Sequence, residues 1–326
     1  MGHRVIYYGE AGGARTRRAV EFAPADLDVG YVDPTWPVDR QREELKDAEA
    51  LVTNGLLWTA DQLADMPKLK LLQLMSAGFN TLDVAAIREM GIEVCNNSPA
   101  ISNSVAEHAI ALMMMVYKRL EQGIAGVKDG SWQARAKGGP YGTLYELAGR
   151  TVGIVGLGNI GSKVARRLTG FETTTLYHDV REFDSDYEKS LSVHRVSFDE
   201  LLDRSDIVTA HVPLNSRTRK MFSTREFSAM KNSAVFINTC RGPVHDQGAL
   251  IRALQTGEIA AAGLDVFQNE PLQPDSAFMT MDNVVVTPHL AGSTQERVDR
   301  ALVFSFENAR RALNGEPLRN IVSLQD

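Results

Sequence analysis

The chain has 326 residues, 44% of them hydrophobic and 23% charged, enough apolar material for two cores, so two domains are expected. A net charge of −6 without any run of Lys and Arg leaves no electrostatic footprint for nucleic acid. Two cysteines, Cys95 and Cys240, give no disulfide framework or metal site and fit a reducing cytoplasm, and the apolar runs at 1–8 and 109–116 are too short for a signal peptide or a membrane span.

Apolar strand-like runs alternate with amphipathic helical runs from the start. Strands are predicted at 5–8, 29–32, 50–53, 69–74 and 92–95, and helices at 15–22, 40–48, 59–66 and 82–90. Such alternation predicts a parallel sheet covered on both faces. Leu56, Leu57 and Trp58 form an early loop that reads as the wall of a side-chain pocket. Ser76-Ala77-Gly78-Phe79-Asn80 follows the fourth strand at its carboxyl end, where open α/β sheets place ligands. Its backbone N–H groups are candidates to receive an anion, and an ordinary strand-to-helix turn is the plainer reading. Ser98-Pro99 ends the strand pattern, and Ser104 opens a helix running to Leu120 that is apolar nearly all round, the mark of burial between domains or subunits. Its Met113 to Met115 read as core filler. The Gly-rich stretch 123–145 reads as an irregular connection with Trp132 as a packing anchor.

Residues 151–168 then give strand, tight turn and helix. Val152, Ile154 and Val155 form the strand, Gly156, Gly158 and Gly161 have the G-x-G-x-x-G spacing, and Ile160, Val164, Ala165 and Leu168 form one helix face. Gly156 makes the turn, Gly158 lets backbone approach a pyrophosphate, and Gly161 lets helix and strand pack closely, with the anion on the helix N-terminus. A second strand at 173–178 ends in Asp179, 18 residues past Gly161. An acid there can hold both ribose hydroxyls of NAD and repels a 2′-phosphate, so NAD is expected before NADP; Arg181 blurs that preference. Beyond it lie a charged loop (181–189), a short helix (198–202), a strand (207–211), a helix at 223–230 with Ser223 and Glu226 at capping-box spacing, a strand (234–238), a helix (247–255) capped by Asp246, strands at 259–266 and 284–286, and a final helix at 295–313.

Arg241, Glu270 and His289 each fall just after a predicted strand of this unit, so a parallel sheet gathers them on one edge. Singly, each has a plainer reading, as a surface ion pair, a loop carboxylate and a turn histidine. Together they suit carbonyl reduction: a histidine supplies the proton, a carboxylate on its other nitrogen stabilises the imidazolium, and an arginine fork grips a carboxylate.

Gly156-Leu-Gly-Asn-Ile-Gly161, His211-Val-Pro-Leu214, Asn238-Thr-Cys-Arg-Gly242, Gly263-Leu-Asp-Val-Phe267 with Glu270-Pro271, and Thr287-Pro-His289 together resemble the D-isomer-specific 2-hydroxyacid dehydrogenases, over nearly the whole chain. The resemblance implies an α/β fold of two Rossmann-like/flavodoxin-like parallel-sheet domains, with a nucleotide domain (102–290) inserted into a split substrate domain (1–101 and 291–326). It implies reversible NAD-dependent reduction of a small 2-oxo acid to a D-2-hydroxy acid by a homodimer, without metal. Arg241 would orient substrate, His289 would be the acid/base and Glu270 its partner. Cofactor contacts would come from Gly156, Gly158, Asn159, Ile160, Gly161, Asp179, His211, Pro213, Thr239, Cys240 and Asp265, the last toward the nicotinamide carboxamide. Ser76, Ala77 and Gly78 would receive the substrate carboxylate, alongside Arg241 and His289. The Ser76 turn departs from the usual Gly-Ala-Gly with a following Asp. Glu270 stands where the similar formate dehydrogenases have glutamine. The same fold also serves nucleotide-sensing corepressors, which carry the same triad.

Like-charge repulsion between Asp179 and a 2′-phosphate predicts that kcat/KM with NADH exceeds that with NADPH. Steady-state kinetics with both cofactors checks this, and equal or better use of NADPH removes the role given to Asp179.

Overall fold

The structure is a computed structural model that describes residues 4–10, 13–53, 58–79, 81–131 and 143–322. Leu56, Leu57, Asn80 and Trp132 lie outside the described residues. The chain divides into two compact units, 1–101 with 293–326, and 102–292.

The first unit holds a sheet of five strands, β1 (Arg4–Tyr8), β2 (Asp28–Val32), β3 (Ala50–Thr53), β4 (Leu71–Leu74) and β5 (Glu93–Cys95), in the order β2-β1-β3-β4-β5. Every pairing is parallel. That is the doubly wound order that reverses between β1 and β3. Strand alternation explains why the apolar runs are continuous: Ile6, Leu51, Leu72 and Val94 feed one core, while Val5, Tyr7, Val52 and Leu71 feed the core on the opposite face. The helix Gln295–Asn314 covers the second face through Ala301, Leu302, Phe306 and Ala309.

Two buried asparagines bind this late helix to the early strands. Asn97 Nδ2 donates to Ala301 O and Ser305 Oγ, both at 3.0 Å. Asn308 Nδ2 donates to Gln73 Oε1 and to Arg319 O at 2.8 Å, and its Oδ1 accepts from the Arg319 N–H at 2.9 Å. The end of the chain then returns to β5, where Val322 N–H donates to Val94 O at 2.9 Å.

The second unit holds seven strands: β6 (Thr151–Val155), β7 (Thr174–His178), β8 (Val193–Arg195), β9 (Ile207–Ala210), β10 (Val235–Asn238), β11 (Ala261–Leu264) and β12 (Val284–Val286). Their order is β12-β11-β10-β9-β6-β7-β8, again with parallel pairings. β6 lies between β7 and β9, so the winding reverses beside it. The unit runs to Gly292, two residues past the expected division at 290, because Asp265 holds the amides of Leu290 and Ala291.

Three local expectations differ from the structure. The long helix starts at Ser98 rather than Ser104 and runs to Lys118, since Pro99 falls in its first turn, where a missing N–H costs nothing. The helix Leu120–Lys128 runs into the stretch 123–145 read as irregular, set off from its predecessor by Arg119 at φ 46°. The charged loop contains the helix Ser185–Leu191, whose N-cap Asp184 accepts from the amides of Asp186 and Tyr187. No helix among the described residues is long and apolar enough to cross a membrane.

Replacing Asn308 with alanine leaves the buried Gln73 Oε1 unpartnered and removes both bonds to the Arg319 backbone, and is expected to cost about 2 kcal/mol. Thermal unfolding followed by circular dichroism should show a midpoint several degrees lower; an unchanged midpoint means that this bracket does not hold the C-terminal segment.

Candidate active site

The loop after β6 is built by close backbone approach. Gly156 has φ +94°, and a Cβ there would stand 2.5 Å from His211 O. A Cβ on Gly161 would stand 2.0 Å from Gly156 O, so the helix Gly161–Leu168 meets its strand only through hydrogen. Gly158 differs, because the nearest atom to an added Cβ is Arg181 Nη2 at 3.6 Å. Protein packing therefore gives no reason for that glycine. Asn159 and Ile160 complete the turn, and Val164, Ala165 and Leu168 are buried against β6 as expected.

Asp179, at the end of β7, is buried, and its carboxylate closes this loop: Oδ2 accepts from the Leu157 N–H at 2.7 Å and Oδ1 from the Arg181 N–H at 2.8 Å. Oδ2 keeps a second lone pair for a ribose hydroxyl, while Oδ1 also takes the Arg181 side chain. The Arg181 side chain is 60% exposed, with Nε 3.4 Å from Asp179 Oδ1.

After β9 and β10 come His211, Pro213 and Thr239. His211 Nε2 pairs with Thr209 Oγ1 at 2.9 Å, while its Nδ1 and the Thr239 hydroxyl are buried without a hydrogen-bond partner among the described residues. Burial pushes the His211 pKa down to about 3, so the ring is neutral. Buried polar atoms left unpaired are uncommon in a folded chain. With the open Gly158, these atoms fit a dinucleotide lying along the carboxyl edge.

Asn238 organises the turn that carries Arg241. Its Oδ1 accepts from the Cys240 N–H at 2.9 Å and from Cys240 Sγ at 3.0 Å; its Nδ2 donates to Arg241 O at 3.1 Å and to His245 Nδ1 at 3.0 Å. Burial raises the Cys240 pKa, which keeps the thiol protonated and inert. Arg241 Nη1 donates to Cys240 O at 2.6 Å.

His289 Nδ1 lies 2.6 Å from Glu270 Oε2, and Glu270 Oε1 accepts from the Phe267 N–H at 3.0 Å. The pairing commits Nδ1 and leaves Nε2 as the nitrogen available for chemistry. The His289 side chain is 46% exposed, and its backbone takes φ +52°, a conformation a residue with a Cβ holds only when its surroundings enforce it. Asp265 enforces it. Fully buried, it accepts from the amides of Leu290 (Oδ1) and Ala291 (Oδ2), each at 2.9 Å, and from the Thr287 hydroxyl at 2.6 Å.

Because β10, β11 and β12 are neighbours in one parallel sheet, Arg241, the Asp265–Glu270 segment and His289 share one sheet edge, continuous with His211, Gly156 and Asp179 on β9, β6 and β7. Ser76-Ala77-Gly78 belongs to the other unit, at the carboxyl end of β4. There the carbonyls of Ser76, Ala77 and Gly78 are occupied by the Asn97 N–H, Asn96 Nδ2 and Ser76 Oγ, at 2.8, 2.8 and 2.9 Å. Among the described residues no group of His, Cys, Asp and Glu could hold a metal ion.

Sequence reading did not single out Asn238, Thr287 or His108 as supports of the site. An asparagine ending a strand before a tight turn is a readable signal for the first. His108 gives none, since its partners Thr287 and Asp265 are more than 150 positions away.

Residues 110–291 match the family model described as D-isomer specific 2-hydroxyacid dehydrogenase, NAD binding domain. The chain is 38% identical to a glyoxylate reductase of Korarchaeum cryptofilum, over 86% of this chain and 84% of that one. It is 35% identical to a D-3-phosphoglycerate dehydrogenase of Methanocaldococcus jannaschii over 91% of its own length but only 56% of that longer protein. In structure it resembles the holo form of D-mandelate dehydrogenase from Rhodotorula graminis, with a TM-score of 0.87 and 28% identity, covering 99% of this chain and 98% of that one. The glycine loop, the sheet order and these likenesses agree: the chain belongs to the D-isomer specific 2-hydroxyacid dehydrogenases, which reduce 2-oxo acids with a nicotinamide cofactor.

Proposed function

We propose that this chain is an NADH-preferring reductase of a small 2-oxo acid, with Arg241 and His289 as its catalytic residues. The observation that carries the reading is the 2.6 Å pairing of His289 with Glu270, in loops of the same sheet edge as Arg241. Arg241 grips the substrate carboxylate and carbonyl. A nicotinamide cofactor held by the Gly156–Gly161 loop and Asp179 would supply the hydride for the carbonyl carbon. His289 Nε2 delivers the proton to the carbonyl oxygen, and Glu270 stabilises the imidazolium from which that proton leaves; oxidation runs the same transfers backward. Residues 1–101 and 293–326 form the substrate-binding domain in this reading. Buried Trp58, edge-on to Tyr8 with ring centroids 4.9 Å apart and its Nε1 donating to Thr53 Oγ1 at 3.2 Å, gives that domain an aromatic wall at the ends of β1 and β3. The relatives named for glyoxylate and mandelate make small and aromatic oxo acids the first to try. The two buried free thiols, Cys95 and Cys240, fit a reducing cytoplasm.

We also infer a homodimer. On Leu120–Lys128, Leu120, Ile124 and Val127 are 42%, 54% and 58% exposed at helical spacing, with Met279 of the same unit 55% exposed. Such a stripe suits a second copy better than water.

Glyoxylate, hydroxypyruvate and phenylglyoxylate, each with NADH and NADPH, form the test panel. Arg241→Lys keeps the charge and loses the planar fork, so kcat/KM should fall by roughly ten- to a hundredfold, about 1.5–3 kcal/mol, with NADH affinity little changed. No turnover on the whole panel, or an Arg241→Lys enzyme as fast as the wild type, rejects this assignment.

Sedimentation velocity at micromolar concentration should give a dimer for the wild type and a monomer for Ile124→Asp. A monomeric wild type ends the dimer reading.

A further inference from the structure

Beneath the His289 turn lies a short chain of polar groups that the proposed chemistry does not use. His108, on the helix Ser98–Lys118, brings Nε2 to 2.9 Å from Thr287 Oγ1 and 3.5 Å from Asp265 Oδ1. The Thr287 hydroxyl gives its single proton to Asp265 Oδ1, at 2.6 Å. Having no second proton, it must accept from His108, so the hydrogen of His108 sits on Nε2. The order is then fixed: Nε2–H of His108 donates to Thr287, Thr287 O–H donates to Asp265, and Asp265 also accepts from the two amides that follow His289.

We propose that His108 is a positioning residue for the acid/base histidine, donating from Nε2 to Thr287 and so fixing the carboxylate that holds His289 in its left-handed turn. This rests on the reading of His289 as the acid/base. Burial lowers the His108 pKa against the opposing pull of Asp265, so the donor is a neutral imidazole near pH 7 and brings no buried positive charge beside the turn. The side chain is 16% exposed and Asp265 fully buried, so water competes poorly for these bonds. Hydrogen bonds in series through one hydroxyl act as a unit, and removing either His108 or Thr287 should release the turn to the same degree.

The test uses the full-length enzyme with glyoxylate and NADH. His108→Phe removes the donor, and kcat should fall about tenfold, with the Kd for NADH, from fluorescence titration, changed less than about threefold. His108→Gln presents an amide N–H in similar reach and should restore most of the rate. Thr287→Val should lose as much as His108→Phe, and the double variant no more than either alone. Full kcat in His108→Phe, a loss confined to NADH binding, no rescue by Gln, or multiplied losses in the double variant would each overturn the proposal. If His108→Phe does not fold, long-range ¹H–¹⁵N spectra of the wild type decide, with His108→Gln identifying the signal: an Nε2–H ring is expected, and an Nδ1–H ring overturns the chain of donors. Normal turnover by His289→Ala would instead remove the underlying reading of the site, which separates the two failures.

Discussion

Parallel pairing is the constraint on which the rest depends. A parallel ladder aligns every strand in the same sense, so the loop after each strand emerges at one edge, and in the second unit those loops hold Asp179, Gly156, His211, Arg241, Glu270 and His289. The residues are scattered over more than a hundred positions in the chain, yet neighbouring strands in a sheet lie only about 5 Å apart. The reversal of winding beside β6 opens that edge between β6 and β9, where the His211 carbonyl leaves Gly156 no room for a side chain.

Edge loops carry chemistry only if their backbones are held, and three of them are held here by a polar side chain at or just past a strand end. Asp179 takes amides from Leu157 and Arg181, Asn238 takes the Cys240 amide and ties the Arg241 carbonyl, and Asp265 takes the amides after His289. All three are buried, so these bonds are shielded from competing water. Substitutions at Asp179 or Asp265 free backbone donors in the loop that each carboxylate closes.

The first unit shows the same economy in its connectivity. Its sheet is assembled from the first part of the chain, but one face is covered by a helix from the last part, and the join is made by Asn97 and Asn308 rather than by apolar contact alone. Apolar packing tolerates small slides of a helix along a sheet. Asparagine hydrogen bonds to particular carbonyls do not, so the register of Gln295–Asn314 against β4 is set.

Much of this was legible in the chain because it is local. Apolar runs of strand length, the G-x-G-x-x-G spacing and capping residues such as Asp246 depend on neighbours within a few positions, and from them came the α/β fold, the nucleotide loop and the clustering of Arg241, Glu270 and His289 at strand ends. Local reading failed where two signals competed. Ser98-Pro99 does end a strand, but a first-turn proline also opens a helix, so the helix begins at Ser98 and not at Ser104, and the glycines at 123 and 126 hide a helix whose apolar stripe faces outward. The tertiary structure alone decided which side chains serve the backbone. His108 meets Thr287 only because a helix early in the unit packs against its last strand, and Asp265 reaches Leu290 and Ala291 only because β11 and β12 are adjacent. Spacing along the chain carries no information on such pairs, because sheet order and helix packing, not sequence distance, bring a donor within 3 Å of its acceptor.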